Sequence, residues 1–212
     1  MIDNWKDDLL KEKSLREAYV VSRALARSTF NKWAFRLSVI VLSCVGVIWV
    51  VRGDVKTSYD SVMLTSGIGF DLTVQILGFL IGGFAIFATI SDSKLMVRLA
   101  KTTMPRTGLS IFKTIFFNFI SVFYIYVVTL ALAVITKVAS SVRLFELGFL
   151  RDIAEVRVAT VTNAIAFVVL GAAVTLSILR LKSFIWNIYQ AYLTLLIASE
   201  MPEKPAGGGP AE

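Results

Sequence analysis

The chain has 212 residues, of which 56% are hydrophobic and 17% charged, with a net charge of +7 and a mean hydropathy of +0.73. A soluble domain of this size carries about 25% charged residues, so lipid must solvate much of this one. Histidine is absent, which excludes Ser-His-Asp and Cys-His nucleophilic sites, His-ligated metals and imidazole pH sensing.

The composition predicts an all-α fold, an integral membrane helical bundle with about four transmembrane helices. Apolar stretches lie at 33–51, 69–90, 114–136 and 159–181, near the roughly 20 residues that an α-helix needs to cross about 30 Å of hydrocarbon. They lack strand alternation, and a lipid-exposed backbone must satisfy its own hydrogen bonds, so they read as helices. Segments 1–36, 91–113 and 180–212 hold 16 of the 22 Lys and Arg. The positive-inside rule then places both termini in the cytoplasm.

Residues 3–31 of the 1–32 segment read as a cytoplasmic or interfacial amphipathic helix capped by Asp3 or Asn4. Asp7 pairs with Lys11 and Glu12 with Arg16 at i,i+4. Its basic residues and Trp5 suit anionic headgroups of the inner leaflet. Some 32 polar and charged residues precede the first span, unlike a cleavable signal. In that span, Arg36 snorkels at one end, Trp49 anchors the other, and Cys44 is a small apolar filler. Residues 52–70 contain Gly53, Asp54, Ser58, Asp60, Ser61, Gly67 and Gly69, which predict an outer loop.

The second span carries Gly78 and Gly82 as a GxxxG pair, with Gly83 and Ala85 beside them. Without side chains, such positions let another helix approach until backbones touch. The face is expected to pack inside the subunit first, between subunits second. Lys94, Arg98 and Lys101 recur at i, i+4 and i+7 just beyond this span. They form an inner-surface stripe that holds headgroups or contacts a cytosolic protein. Interleaved stacking aromatics are lacking, so direct nucleic-acid binding is not expected. Pro105 and Gly108 break the chain before the third span, whose Asn118 and Ser121 stand among seven aromatics.

Span four predicts close packing through Gly171, Ala172 and Ala173. Beyond Arg180 and Lys182, residues 183–200 read as a C-terminal amphipathic helix with Ser183, Asn187, Gln190 and Thr194 on one stripe. Its 17-residue core leaves a fifth span open, but an interfacial position fits better. The tail 201–212 is rich in Pro and Gly and reads as disordered. Thus 33–182 form the four-span domain.

No Walker loop, GxGxxG, CxxC or intramembrane carboxylate pair occurs, and ionisable residues are expected at span ends only. The chain is read as no enzyme, with no catalytic residues, metal or cofactor. One hypothesis is a homo-oligomeric subunit that holds cytosolic parts, its own or a partner's, at the membrane. The other is a homo-oligomeric ion or small-solute channel lined by Gln75, Asn118, Ser121, Asn163 and Thr175.

The stretch GFLIGGFAIFATISDSKLMVRL, residues 78–99, resembles one found in small bacterial membrane proteins, some encoded in anti-phage defence loci. That resemblance implies a membrane component of the bacterial inner membrane. Such a component senses envelope disturbance or harms the membrane when a cytosolic partner signals, as in two-component systems such as Kiwa.

Overall fold

The computed structural model describes residues 11, 12, 14, 17–21, 29–90, 93–103, 108–141 and 153–200. Beyond a short helical stretch at 17–21, the helices among the described residues are, in order, α1 Thr29–Arg52, α2 Val55–Ile90, α3 Ser93–Lys101, α4 Ile111–Ser141 and α5 Ile153–Glu200. Four of them contain segments long and apolar enough to cross a membrane: Thr29–Arg52, Val55–Ala85, Ile111–Ser140 and Val156–Trp186. The chain is therefore an all-α, multi-pass membrane bundle. Residues 17–21 are helical, and the other parts of the helix expected at 3–31 lie mostly outside the described residues, as does the tail.

Helices α2, α4 and α5 form the core. Ser58 meets Asn163 and Gly69 faces Val174, so α2 and α5 run parallel. Helix α4 opposes both: Phe119 packs on Phe184 and Phe84 on Phe116, while Ser66 Oγ donates to Ala133 O. Helix α1 packs chiefly on α5, antiparallel to it. From one end of that pair to the other, Asn31 bonds Leu179 O and Ser183 Oγ, Ser38 bonds Thr175, Gly171 receives Leu42 and Gly46 receives Ala164.

The outer loop expected at 52–70 is absent: α2 begins at Val55, and Gly53 and Asp54 alone connect it to α1. The Ser and Gly residues read as loop formers fall at helical spacing, with Ser58, Val62, Ser66 and Gly69 buried on one stripe. Packing on that stripe outweighs their turn preferences. Gly53 takes φ +67°, the left-handed region natural at a helix C-terminus. A Gly53→Ala substitution is expected to cost about 1 kcal/mol, read as a lowered thermal midpoint in detergent.

Asp54 then caps α2, accepting from Thr57 N at 3.0 Å. The Thr57 backbone N–H holds its carboxyl below the usual carboxylate range, with help from the Thr57 hydroxyl. Because the pKa is depressed, this cap is fully present above pH 3.8 and is lost as pH falls through the lowered value. Thr57→Ala should raise the Asp54 midpoint only part of the way, because the leading backbone donor remains; carboxyl NMR titration reads this.

Helix α5 passes through Arg180 and Lys182 without a break, so the helix expected at 183–200 is the continuation of the fourth span. Its 48 residues extend about 72 Å and α2's 36 residues about 54 Å, both longer than a bilayer's roughly 30 Å core. Asn31 marks where α1 begins on α5, beside Ser183. The next residue, Phe184, packs with Leu80, Val122 and Tyr126. Past this level α2 runs about 15 Å further and α5 about 24 Å, with no α1 beside them. We call this the terminal end of the bundle, and the Gly53–Asp54 end the turn end.

Candidate functional site

Several polar side chains inside the bundle are held by helix-to-helix hydrogen bonds. Along the α2/α4/α5 interior, Asn163 Nδ2 donates to Ser58 Oγ at 3.2 Å and Ser66 Oγ to Ala133 O at 2.9 Å. Thr129 and Ser177 share a bond of 2.9 Å, and Tyr126 OH donates to Ser177 O at 3.2 Å. Ser58, Ser66, Ser177 and Tyr126 are fully buried. Hydroxyls without a neighbouring base are poor nucleophiles, and bonds of this kind contribute about 0.6–2 kcal/mol each to helix association. This seam is glue. Among the described residues no group of three His, Cys, Asp or Glu could hold a metal ion.

The five residues expected to line a lumen do not come together. Asn163 lies in the seam, and Thr175 faces α1 through Ser38. Ser121 is buried, its hydroxyl without a partner. Asn118 is half-buried and makes no helix-to-helix hydrogen bond among the described residues, whereas Gln75 is exposed on α2's outward face. The cause is helical phase, since residues on three helices were grouped by polarity rather than by the face each turns to the others.

The glycine face also differs from expectation. Gly78, Gly82 and Gly83 have nothing within 4 Å of where a Cβ would stand, and all three, with Ala85, are exposed. They do not pack inside the subunit. Close approach within the chain uses Gly46, Gly69 and Gly171 instead. A Cβ there would meet Ala164 Cβ at 3.2 Å, Val174 Cγ2 at 3.1 Å and Leu42 Cδ1 at 2.8 Å, respectively. None of these three belongs to a GxxxG pair; Gly171 packs as its run with Ala172 and Ala173 predicts, whereas Gly46 and Gly69 carry no such signal.

Around the glycine face the terminal end exposes large apolar side chains. Phe79, Ile81, Phe84, Ile185, Trp186 and Tyr189 are all more than a third exposed. Basic residues cluster at the level where α1 begins: Lys32 and Arg36 are exposed on α1, and Lys182 Nζ sits 4.2 Å from the centre of the Phe30 ring. Helix α3 presents Lys94, Arg98 and Lys101 at the expected spacing. Arg98 and Lys101 are partly exposed, and the Lys94 side chain lies outside the described ones.

One charge departs from the rule that ionisable groups sit at span ends. Asp71, expected at the start of the second span, stands in the middle of α2 because that helix begins 16 residues earlier. Lys113 is buried in α4 and pairs with Glu12, Nζ to Oε2 2.7 Å, the two side chains 3% and 12% exposed. The Lys113 ammonium also lies 5.5 Å from the Phe117 ring centre. Ala18 is buried and Tyr19 stacks on Tyr124 at 4.4 Å. Glu12 and Tyr19 therefore both lie against the first half of α4. No sequence spacing links Glu12 to Lys113.

No protein-family model, curated protein or solved structure matches this chain.

Proposed function

We propose that the chain is a non-enzymatic, homo-oligomeric subunit of the bacterial inner membrane, with both termini cytoplasmic. It acts as sensor, anchor or effector for a cytosolic partner, as in membrane components of anti-phage defence. The observation that carries this reading is the terminal end, where α2, α4 and α5 outrun α1. There α2 leaves Gly78, Gly82 and Gly83 open between exposed Phe79, Ile81 and Phe84 of the same helix. Contiguous apolar surface of this kind marks an interaction site when protein, not acyl chain, must cover it. The basic residues Lys32, Arg36 and Lys182 at α1's start favour the inner, anionic leaflet at that level, with the cytoplasm beyond it. Arg98 and Lys101 then face the compartment in which an acidic partner surface would dock.

Photocrosslinking from position 101 in the native host tests the partner. A single stoichiometric cytosolic adduct, lost in an Arg98→Glu/Lys101→Glu variant, supports this reading; adducts to lipid alone contradict it. The channel reading draws on Asp71 and Gln75, both exposed on the outward face of α2, where several copies could enclose them. Planar-bilayer recording decides between the two: the subunit reading predicts no unitary conductance above that of protein-free bilayers, and discrete openings would favour the channel.

A further inference from the structure

Helix α2 turns Val62, Ser66, Gly69, Thr73 and Leu80 inward, all buried. The stripe diametrically opposite holds Asp71, Gln75, Gly78, Gly82 and Ala85, spaced by four, three, four and three residues, all exposed. On a helix packed on one side only, the far side is where lipid calls for apolar bulk. That bulk sits on the flanks instead, in Val74, Phe79 and Ile81. An acid and a carboxamide on a membrane helix normally face protein or enclosed water, because acyl chains offer neither a donor nor an acceptor. The alternating four-three spacing is that of a helix-pairing seam.

We propose that this stripe pairs with the same stripe of a second copy, the Gln75 carboxamide donating to Asp71 of the partner subunit and the reverse contact repeating it across a two-fold axis. The inference rests on the homo-oligomeric reading above and names the face and the groups that serve it. A second copy fits better than lipid or an unrelated protein because the stripe is self-complementary. Its acceptor, Asp71, and its donor, Gln75, lie one turn apart, so two parallel copies satisfy each other twice. One turn further along, Gly78 and Gly82 offer no side chain to hold the backbones apart, and nothing among the described residues occupies that space. The geometry is isologous and leaves the buried stripe untouched.

The test is disulfide trapping in native membranes in a Cys44→Ser background, which removes the chain's one cysteine. Cysteines are placed singly at positions 75 and 82 on the stripe, at 81 on α2's flank, and at 165 on the exposed face of α5. The expected result is a covalent dimer at 75 and 82, at least about tenfold stronger than at 81 or 165. In parallel, Gln75→Leu removes both symmetry-related bonds and should weaken dimerisation about eight- to thirtyfold, at about 0.6–1 kcal/mol for each bond. Asp71→Asn, which keeps an acceptor, should weaken it less. Mass in detergent separates the two ways of failing. A multimer that traps equally at 165, or not at 75 and 82, or whose association constant ignores Gln75→Leu, overturns the stripe while the homo-oligomer stands. A monomer overturns both.

Discussion

Replacing Glu12 with alanine should lower the stability of the folded chain by about 3–5 kcal/mol, the cost of leaving a buried charge without its counter-ion. The Lys113 ammonium is 3% exposed and its carboxylate partner stands 2.7 Å away, so water cannot replace what the substitution removes. The Phe117 ring, 5.5 Å from the ammonium, offsets part of that loss through a cation–π attraction of about 1–2 kcal/mol. A double variant, Glu12→Leu with Lys113→Met, removes the charge together with its partner and should recover most of the loss, because an apolar pair of similar volume has nothing to leave unsatisfied. Thermal unfolding in detergent reads both variants. A Glu12→Ala protein as stable as the parent would show that Glu12 does not hold α4 through Lys113 as described.

The second large effect is expected at Gly171, where α1 and α5 come closest. A Cβ on residue 171 would stand 2.8 Å from Leu42 Cδ1 and 3.0 Å from Leu42 Cδ2. The opposing atoms are side-chain ends, so Gly171→Ala should be absorbed by a shift of Leu42 at about 1–3 kcal/mol. Gly171→Leu cannot be absorbed in this way and should drive α1 off α5. Leu42→Ala, which opens the space, should rescue Gly171→Ala in part, making the pair strongly non-additive. By contrast, Gly78→Ala meets open space and should leave monomer stability within about 0.5 kcal/mol. If Gly171→Ala and Gly78→Ala proved equally mild, the close approach of α1 to α5 would be in doubt.

The class of fold is legible in the sequence because the bilayer imposes it. Four runs of about 20 apolar residues separated by charge have few other ways to satisfy their backbones. What local reading misses is set by contacts between helices. Ser58 and Ser66 count as turn formers in isolation, yet they donate hydroxyls or accept carboxamides across the bundle and so extend α2 up to Asp54. Arg180 and Lys182 look like the end of a span, but long basic side chains can lie at a headgroup while the helix beneath them continues. The Gly78/Gly82 motif told of a packing face and not of which molecule fills it. Gly46 and Gly69 pack within the chain with no motif to mark them, whereas Gly171 stands in the small-residue run that predicts its close contact. Asp71 was seen at the edge of a span and is found in the middle of a helix, because its depth depends on where α2 starts.

These points meet in one claim, that copies of this chain assemble through the surface its own helices leave uncovered. Native mass spectrometry of the protein released from native membranes measures this most directly. The account predicts an integral multiple of 23.4 kDa that falls to a single chain in Gly82→Leu, with helicity unchanged. A parent protein recorded only at 23.4 kDa, or a Gly82→Leu variant that assembles like the parent, would contradict it.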